Sequence, residues 1–479
     1  MDAAATQRQH LHLLGIGGTG MTALAGLLHE SGARVTGSDR RLYPPTSTLL
    51  ERLALEVHEG FSPQHLVPAP DLVVIGNAMS RGNVEVEEVL DRRLPYVSMP
   101  RLIEDRFLPG RHSVVVAGTH GKTTTSSMLA WVLTRAGRDP GFLIGGAPLD
   151  FEFPFHLGTG APFVLEGDEY DTAFFDKGPK FMHYRPDTAL LGAVEFDHAD
   201  IYRDLEQVTT AFRRFVGLVP RRGLLVANHD AATTREIAAQ ALSRVRSYGF
   251  SPDAHWRAEA CAEGPSGGRC RVRCAGEPFA ELELGVPGRH NVLNALATLA
   301  AADELGVPKD EILEGLATFR GVRRRMEVVG SAAGVTVIDD FAHHPTAIAE
   351  TLRAARARYP GRRVWAVLEP RSWTLRRNVF QDRLAESFDA ADHVLLAAVF
   401  GAEALAPTER LDPDRLATAI GERGRDAEFL PSAGQILDRL LGQTRSGDVV
   451  VVMSNGGFDG LPRRLVELLG ARRATATGA

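Results

Sequence analysis

One stretch, residues 112–125, limits what this chain can fold into more than any other. The apolar, β-branched run at 114–116 predicts a buried strand. Residues 118–121 read Gly-Thr-His-Gly and predict a turn, and Lys122-Thr123 begins a predicted helix that runs through Val132. A strand, a glycine-rich turn and a helix that opens on Lys-Thr form a cradle whose backbone N–H groups face an anion. This order predicts a parallel α/β domain that binds a nucleoside triphosphate.

The side chains of the cradle indicate how the phosphates are held. In such a motif the lysine reaches the outer phosphates, and the hydroxyl of the next residue can bind Mg²⁺. The full consensus places a glycine at position 116, where this chain has Val116. The alternative interpretation is an ordinary strand-to-helix turn. The predicted phosphate-binding residues are Gly118, Thr119, His120, Gly121, Lys122, Thr123 and Thr124.

A second glycine-rich turn, Gly15-Ile-Gly-Gly-Thr-Gly20, follows a predicted strand at 11–16. A predicted helix at 21–28 comes next, and the following strand ends at Asp39, about 20 residues after the glycines. This spacing is the fingerprint of a dinucleotide-binding fold and predicts a Rossmann-like first domain. The alternative is that these glycines only permit close packing of helix and strand.

Acidic residues follow two strands predicted beside the cradle. The strand at 163–166 ends in Glu166 and leads into the loop Gly-Asp-Glu-Tyr-Asp171, and the strand at 188–194 leads into Asp197-His198. A strand that delivers a carboxylate beside a phosphate cradle is a common way to build a magnesium site. His198 is therefore a candidate metal ligand, and the alternative is a solvated loop.

The length of the chain, 479 residues, exceeds what one core supports. Strands alternate with helices throughout, which predicts an α/β fold of three domains. They are an N-terminal Rossmann-like domain at 1–107, a central P-loop ATPase-like parallel sheet at 108–321 and a C-terminal Rossmann-like domain at 322–470. Residues 471–479 are predicted to be a disordered tail.

Composition excludes several classes of protein. Hydrophobic content is 44%, charged content is 24% and the net charge is −6, and the basic clusters are short; no nucleic-acid partner is expected. No apolar run approaches the roughly 20 residues of a membrane helix, and the N-terminus has no signal-peptide core. The three cysteines, Cys261, Cys270 and Cys274, match no standard zinc spacing. We interpret them as free thiols in a reducing cytoplasm.

Taken in order, these motifs resemble the ATP-dependent Mur ligases of peptidoglycan synthesis, over nearly the whole chain. The motifs are Gly-Ile-Gly-Gly-Thr-Gly-Met at 15–21, Gly-Thr-His-Gly-Lys-Thr at 118–123, Glu166, Asp197-His198, His290-Asn-x-x-Asn294, Arg325 before Met-Glu, and Asp339-Asp-Phe-Ala-His-His-Pro345. The last motif resembles the branch that uses UDP-N-acetylmuramate as carboxyl donor. Further features at 37–39, 43–50, 76–83, 168–177, 369–372 and 453–458 resemble ligases that add the tripeptide L-Ala-γ-D-Glu-meso-diaminopimelate in peptidoglycan recycling.

The resemblance implies a mechanism and a set of residues. ATP would phosphorylate the lactyl carboxylate of the donor, and the tripeptide amine would attack the acyl phosphate. The implied catalytic residues are Lys122, Glu166, His198 and Arg325, with Thr123, Glu166 and His198 as Mg²⁺ ligands. The implied ATP site adds Asn291, Asn294, Arg325, Asp340, His343 and His344 to the cradle. The implied UDP site comprises Gly15, Gly17, Gly18, Thr19, Gly20, Met21, Asp39 and Asn77.

The acceptor tripeptide carries several carboxylates, which arginine grips with paired hydrogen bonds. Arg371 follows a predicted third-domain strand and is the predicted acceptor ligand, with Arg376 and Arg377 close behind. The alternative for the last two is solvated surface. The chain also departs from the family at Ala193, where related ligases usually carry asparagine, so a contact to the donor or the metal is missing or comes from elsewhere. No lysine is assigned as a carbamylated ligand.

The sequence alone leaves three other interpretations of the function open. The first is the sibling ligase that adds L-alanine to the same donor. The second is a nicotinamide-dependent dehydrogenase built on the turn at 15–20, which leaves Lys122, Glu166 and Asp340 without roles. The third is a nucleotide switch without catalysis.

Overall fold

The computed structural model describes residues 8–264 and 267–477, whose strands form three main sheets and one small hairpin. Helices cover the sheets, and the α/β class with three domains is confirmed. The domain limits at 107/108 and 321/322 stay a prediction. Residues 1–7, where the sequence predicts no signal peptide, lie outside the described residues.

The N-terminal sheet has five parallel strands in the order β3-β2-β1-β4-β5. The order reverses beside β1, and the carboxyl edge of the sheet at this point is where such folds bind ligands. Its strands are β1 His10–Leu14, β2 Arg34–Asp39, β3 Glu56–Glu59, β4 Leu72–Ile75 and β5 Tyr96–Ser98. Its helices are α1 Thr19–Glu30, α2 Thr46–Arg52, α3 Val84–Asp91 and α4 Met99–Arg106.

The central sheet has ten strands in the order β17-β16-β15-β14-β13-β12-β6-β9-β7-β8, and β10 pairs with β11 as a separate hairpin. The strands are β6 His112–Ala117, β7 Gly141–Leu143, β8 Phe155–His156, β9 Pro162–Gly167, β10 Asp171–Ala173, β11 Asp176–Pro179, β12 Thr188–Leu191, β13 Leu224–Asn228, β14 Arg244–Gly249, β15 Trp256–Gly264, β16 Gly267–Cys274 and β17 Glu277–Leu284. The helices are α5 Lys122–Arg135, α6 Leu205–Val216, α7 Ala232–Ala238, α8 Arg289–Glu304 and α9 Lys309–Thr318.

Strand β6 lies in the middle of this sheet and explains its apolar sequence. It pairs in parallel with β9 on one side and β12 on the other. Val114 and Val116 pack into the core on one face, and Val115 and Ala117 pack into the core on the opposite face. A strand buried on both faces needs a continuous apolar run rather than an alternating one. The cradle at the end of β6 is therefore anchored in the best-packed part of the domain.

The antiparallel end of the sheet corrects one prediction. Cys261 on β15 and Cys270 on β16 form a disulfide, with Cα atoms 4.2 Å apart, so two of the three cysteines are not free thiols. A bulge between Glu259 and Ala262 brings Cys261 opposite Cys270, and cysteine spacing alone does not reveal such a register. Cys274 is a free thiol. Of the turn predicted at 264–268, residues 265–266 lie outside the described residues.

The C-terminal sheet has six strands in the order β18-β19-β23-β20-β21-β22, parallel except for β18. The strands are β18 Glu327–Ala332, β19 Val335–Asp340, β20 Val364–Leu368, β21 His393–Leu396, β22 Asp426–Phe429 and β23 Val449–Met453. The helices are α10 Pro345–Arg358, α11 Pro413–Glu422, α12 Ala433–Gln443 and α13 Leu461–Thr477.

The last helix differs from the predicted tail. Helix α13 continues to Thr477, so residues 471–477 are helical where the sequence predicts disorder. The stretch Ala-Arg-Arg-Ala-Thr-Ala that begins at Ala471 contains good helix formers and no glycine or proline, so nothing in it ends the helix. Residues 478–479 lie outside the described residues. None of the helices in the described ranges combines the length and the apolar composition needed to cross a bilayer.

The N-terminal and central domains pack together through helix α1. Gly26 on this helix faces the ring of Phe155 on β8 so closely that a Cβ atom at position 26 would overlap the ring. Phe155 is 5% exposed. At the end of α1, Glu30 accepts hydrogen bonds from the ring of His156 at 2.9 Å and from the backbone N–H of Leu157 at 3.0 Å. The missing side chain at position 26 therefore sets how closely the first two domains approach.

We predict that Gly26→Val will destabilise the protein by about 1–3 kcal/mol, because it overpacks the contact with Phe155. Differential scanning calorimetry should show the loss as a lower unfolding temperature. Gly442→Ala is the matched control, since Gly442 lies in α12 with open space around it. If both variants unfold at the same temperature as the parent, the close approach of α1 and β8 is not as described.

Candidate active site

The phosphate cradle has the backbone geometry that the sequence predicts. Gly118 has φ +131°, and a Cβ there would lie 2.9 Å from the backbone of Gly192. Gly121, the residue before α5, has φ +80°, and a Cβ there would lie 2.5 Å from Oδ1 of Asn294. Both positions require glycine because L side chains rarely adopt such φ angles. Thr119 closes the loop, since its N–H donates to the Ala193 carbonyl at 2.8 Å.

Lys122 points back over this loop and forms an ion pair that the sequence did not predict. Its Nζ lies 2.7 Å from the Gly118 carbonyl and 2.8 Å from Oε2 of Glu169. Glu169 is 2% exposed and reaches Nε2 of His198 with its other oxygen at 3.2 Å. Burial opposes charge on these groups, but their mutual attraction outweighs it and raises the pKa of Lys122 and lowers that of Glu169.

His198 is held in an unusual backbone conformation, with φ +54°. Burial alone would lower its pKa, but the bond to Glu169 and the charge of Asp197 raise the pKa of His198 to about 9. Three ligand atoms, one each from Asp168, Glu169 and His198, lie within 4.8 Å of one another. The predicted metal ligand His198 thus belongs to a group with two carboxylates.

The other two predicted metal ligands meet at a neighbouring point. The hydroxyl of Thr123 donates to Oε1 of Glu166 at 2.7 Å, and the N–H of Gly145 donates to Oε2 of Glu166 at 2.8 Å. A hydroxyl and a carboxylate at the edge of a phosphate cradle suit Mg²⁺, which prefers oxygen ligands and keeps several waters. Glu166 and His198 therefore lie in two groups of candidate ligands rather than one.

Helix α8 brings the predicted asparagines over the cradle. Asn291 donates to the Pro287 carbonyl at 2.6 Å, and Asn294 donates to Oδ1 of Asn291 at 3.1 Å. His290 beside them has a buried Nδ1 atom without a hydrogen-bond partner among the described residues. Burial lowers the pKa of His290, so its ring is neutral and the orphaned nitrogen is available to a polar ligand.

The C-terminal domain contributes Arg325 through a tight turn. Arg324 and Met326 on either side of it have φ +57° and +52°. The guanidinium of Arg325 is exposed in the cleft, 4.9 Å from the centre of the Phe341 ring. Among the described residues, no carboxylate lies within ion-pair distance of it. Arg325 is thus held in place by an aromatic ring while its charge stays open to an anion.

Asp340 stabilises this turn through hydrogen bonds to its carboxylate. Its carboxylate accepts from the N–H of Met326 at 2.7 Å, the N–H of Ala342 at 2.8 Å and the hydroxyl of Thr351 at 3.1 Å. Asp340 is 4% exposed. A carboxylate has about four acceptor sites, so these three donors leave little capacity for a direct bond to ATP, in whose site the resemblance places Asp340. Its visible role is to position Arg325.

Two histidines follow Asp340 and contact the central domain. The Nδ1–H of His343 donates to the Phe341 carbonyl at 2.7 Å, and its Nε2 lies 4.0 Å from Asp197. The Nε2–H of His344 donates to the Phe196 carbonyl at 3.2 Å, and burial lowers the pKa of His344 to about 4. Both rings therefore lie at the junction between the central and C-terminal domains.

Glu195 joins the cradle to the same junction. Its Oε2 accepts from the Thr346 hydroxyl at 2.7 Å and lies 3.4 Å from both His120 and His344. Burial opposes its charge, but these partners lower the pKa of Glu195 to about 2. The two histidines and Glu195 could hold a cation, but Nδ1 of His344 already accepts the N–H of Thr346 at 3.3 Å.

Two backbone N–H groups of the N-terminal glycine turn find their hydrogen-bond acceptors within the N-terminal domain. The N–H groups of Gly15 and Gly17 donate to the Ser38 carbonyl at 2.8 Å and to Asp39 at 2.8 Å. Asp39 therefore caps the turn. The first N–H groups of α1, at Thr19, Gly20 and Met21, keep their usual lack of helical partners. Gly18 directly precedes α1, and Asn77 is exposed just after β4 at the same edge of the sheet.

A cavity of about 390 Å³ opens between the central and C-terminal domains. Arg371 lies on its wall, 3.6 Å from the centre of the Phe400 ring, and Arg376 lies 4.5 Å from the centre of the Trp373 ring. Arg376 is 6% exposed, and its Nε has no partner among the described residues. The cavity is lined by Tyr170, Asp197, His198, His343, Arg371, Ser372, Trp373, Thr374, Arg376, Phe400 and Asn455.

Arg377 does not share this position. It is not part of the cavity wall, and its guanidinium pairs with Glu409 at 3.2 Å. Arg377 is partly buried but points away from the cavity towards Glu409, while Arg376 turns inward. Roles for Asp168, Glu169 and Glu195 were not predicted from the sequence, although the first two lie in the acidic loop after β9 and the third precedes Asp197. Their spacing in the chain does not reveal that they pair with Lys122 and with the C-terminal domain.

We predict that Asp339→Asn will stabilise the protein increasingly as the pH rises from 4 to 7.5. Burial raises the pKa of Asp339 to about 6, and Arg324 at 3.3 Å only partly offsets it. The folded state therefore binds this proton more tightly than the unfolded chain, and the stability it gives at low pH is lost as the pH passes about 6. Asparagine removes the loss, which is worth at most about 3 kcal/mol.

Calorimetry at pH 4.5 and 7.5 tests this, with Asp253→Asn at an exposed site as the control. The unfolding temperature of Asp339→Asn should rise relative to the parent between the two pH values, and that of the control should not. An unchanged difference at both pH values would show that Asp339 titrates like an exposed carboxyl group.

Three family models match consecutive parts of the chain. They are described as the Mur ligase family catalytic domain at 10–106, the Mur ligase middle domain at 116–302 and the Mur ligase glutamate ligase domain at 324–456. Together they cover each of the three sheets.

Individual proteins are similar over almost their whole length. The UDP-N-acetylmuramate–L-alanyl-γ-D-glutamyl-meso-2,6-diaminoheptandioate ligase of Escherichia coli (strain K12) is 42% identical over 97% of this chain and 99% of its own. A murein peptide ligase structure from Psychrobacter arcticus 273-4 is 39% identical, with a TM-score of 0.73, and covers 96% of this chain and 99% of its own. The UDP-N-acetylmuramate–alanine ligase structure from Thermotoga maritima is 25% identical, with a TM-score of 0.80, and covers 97% of this chain and 100% of its own. This chain therefore belongs to the Mur ligase family of ATP-dependent amide-bond ligases.

Proposed function

We propose that this enzyme joins UDP-N-acetylmuramate to the tripeptide L-Ala-γ-D-Glu-meso-diaminopimelate in peptidoglycan recycling, releasing ADP and phosphate. The observation that carries the proposal is the position of His198. It shares one group of charged residues with Lys122 of the phosphate cradle and also lies on the wall of the arginine-lined cavity. Phosphoryl transfer and amide formation need such adjacent sites. The similarity to ligases of this name supports the choice of substrates.

The chemistry begins with the donor carboxylate, which is a poor electrophile because oxide is a poor leaving group. Transfer of the γ-phosphoryl group of ATP makes it an acyl phosphate, and the acceptor amine then displaces phosphate. Both partners in the first step are anions. Catalysis is therefore mainly positioning and neutralisation of charge. This explains why cationic groups are needed on several sides of the junction.

Lys122 and Arg325 supply two of these cations from opposite domains. We propose that Lys122 leaves Glu169 to contact the outer phosphates when ATP binds, as the lysine of such cradles does. Arg325 has no carboxylate partner among the described residues and would contact the γ-phosphoryl group. The Phe341 ring beside it, and the bond from Asp340 to the neighbouring Met326 N–H, would keep it in place during transfer. Both residues would stabilise charge in the transition state rather than form bonds.

The residues present fit Mg²⁺ as a cofactor. Thr123 with Glu166 would hold one ion at the phosphates, and His198 with Glu169 and Asp168 would hold a second. Bound Mg²⁺ would neutralise phosphate charge. Without an ion, Glu169 is satisfied by Lys122 and His198, so these side chains keep their positions between turnovers.

The rest of ATP would lie towards helix α8 and the C-terminal domain. The orphaned Nδ1 of His290 supports a polar contact there, beside Asn291 and Asn294. His343 and His344 would border the same nucleotide, with His120 beneath them. The donor's UDP moiety would lie at the N-terminus of α1, where Thr19, Gly20 and Met21 offer free N–H groups to a diphosphate.

The acceptor would enter through the cavity between the central and C-terminal domains. Arg371 would bind a tripeptide carboxylate, and the unpartnered Nε of Arg376 suits a second acceptor group. Gly456 packs directly against Arg371, so a side chain there would displace the guanidinium. We place the enzyme in the cytoplasm because its substrates are ATP and a nucleotide sugar; the cysteines no longer support this.

We predict that Lys122→Ala will abolish turnover and leave the binding of UDP-N-acetylmuramate within about threefold of the parent. Lysine acts at the phosphates, whereas the donor's UDP moiety lies on another domain. Phosphate release and isothermal titration with the donor measure the two effects. Loss of donor binding would contradict this division of roles.

We predict that Arg371→Ala will raise the KM for the tripeptide by at least tenfold, since a charged hydrogen bond is worth about 1.5–3 kcal/mol. The KM for ATP should stay unchanged. Arg377→Ala is the matched control, because its partner is Glu409 and it does not line the cavity. The assignment of Arg371 is wrong if its variant has the parent's KM for the tripeptide.

The function itself is tested by phosphate release from Mg-ATP and UDP-N-acetylmuramate with either acceptor. Turnover with the tripeptide and little with L-alanine supports the recycling ligase. Turnover mainly with L-alanine moves the enzyme to the sibling ligase of peptidoglycan biosynthesis. No turnover with either acceptor would overturn both assignments of substrate. A thermal-shift assay with NAD(H) or the UDP-sugar addresses the dehydrogenase reading independently.

A further inference from the structure

The segment 195–199 of the central domain is gripped by the C-terminal domain on both sides of His198. Glu195 accepts from the Thr346 hydroxyl at 2.7 Å. Asp197, just before His198, accepts from the Thr374 hydroxyl at 2.6 Å, and Ala199, just after it, donates its N–H to the same hydroxyl at 3.1 Å. His198 lies between Asp197 and Ala199 with φ +54°, a conformation that most residues adopt only when their surroundings enforce it.

Thr374 makes two contacts with one oxygen. Its Oγ1 donates to Asp197 and accepts the N–H of Ala199 at 3.1 Å. The hydroxyl therefore bridges the residue before His198 and the residue after it. Thr374 is 2% exposed and Asp197 is 6% exposed, so water does not replace the bridge readily. Among the described residues, Asp197 Oδ1 accepts hydrogen bonds only from the Thr374 hydroxyl and from the N–H of His198.

The same threonine belongs to the segment that carries the cavity's arginines. It lies between Arg371 and Arg376, and its side chain lines the cavity. The N–H of Arg376 donates to the Ser372 carbonyl at 2.9 Å, which folds this segment into a tight turn. A shift of the arginine-bearing turn would therefore move Thr374 and, through Asp197, the backbone of His198.

We propose that Thr374 is a positioning residue that orients His198 for metal binding and couples this orientation to docking of the C-terminal domain. The hydroxyl fixes the backbone on both sides of the imidazole, so the ring meets Glu169 and Asp168 only when the two domains are in contact. Groups that orient a ligand from outside its coordination sphere typically change metal affinity 10- to 100-fold when removed. The role of this coupling in amide formation rests on the proposed function, whereas its effect on metal binding does not.

The test replaces the hydroxyl while keeping the shape. Thr374→Val removes both hydrogen bonds, and Thr374→Ser restores them with a smaller side chain. Thr209→Val is the control, because Thr209 is similarly buried in α6 and, within the described part of the chain, its hydroxyl bonds only to the Leu205 carbonyl of its own helix. Mn²⁺ binding to each full-length protein is measured by electron paramagnetic resonance in the presence of a non-hydrolysable ATP analogue. This readout needs no turnover.

We expect at least one class of Mn²⁺ to bind about 10-fold or more weakly to Thr374→Val than to the parent. Thr374→Ser and Thr209→Val should stay within about threefold. The Mg²⁺ concentration for half-maximal turnover should follow the same order, with the KM for the donor unchanged. Should Thr374→Val fail to fold, Thr374→Ala provides the hydroxyl deletion without the branched side chain.

Two results would overturn the proposal. One is Mn²⁺ binding by the folded Val or Ala variant that matches the parent. The other is a serine variant as weak as the valine variant, because the effect would then come from shape and not from the hydroxyl. Failure of the proposed function has a different signature: the parent itself would release no phosphate with either acceptor, and the order of Mn²⁺ affinities would still decide the role of Thr374.

Discussion

The charged chain from Lys122 through Glu169 to His198 determines how the rest of the site is built. Two cationic groups share one buried carboxylate at 2.8 and 3.2 Å, and neither has an equivalent partner elsewhere in the described residues. Breaking such a buried group by removing one member is costly, because it leaves an uncompensated charge. The glycine turn, strand β9 and the segment 195–199 must therefore keep their relative positions. Those positions in turn define where a triphosphate and a metal ion fit.

The three domains contribute differently to this arrangement. The N-terminal and central domains meet through the ring of Phe155 against Gly26, a contact with no room for adjustment. The C-terminal domain instead reaches the centre of the site through hydroxyls, imidazoles and Arg325, which are polar contacts that exchange more easily with water or ligand. This difference suits the proposed arrangement, in which the first two domains form a fixed platform for the donor and ATP and the third domain brings the acceptor. It agrees with the general use of domain closure in enzymes that must exclude water from a reactive intermediate.

Much of the fold could be predicted from the sequence because each pattern used depends only on residues close together in the chain. The run at 114–116, the glycines at 118 and 121 and the acid at the end of β9 depend on neighbours in the chain, and they appear where the sequence predicts them. The chemical groups at the junction were harder to predict, because Thr374 and Asp197 are 177 positions apart. The cysteine pairing depends on a bulge in β15, and the inward turn of Arg376 rather than Arg377 depends on backbone direction after β20. Neither property is encoded in residue spacing.

The close approach of Gly456 to Arg371 has a consequence for the proposed binding of the acceptor. Arg371 keeps its place above the Phe400 ring only because the neighbouring chain has no side chain at this point. Any residue at 456 would redirect the guanidinium without altering the arginine itself or any residue of the phosphate cradle. On the role proposed for Arg371, a substitution at 456 would change acceptor binding while the activation chemistry stays intact. Selection on substrate range would then act on a position that binds nothing, and sequence comparisons restricted to ligand-contacting residues would overlook it.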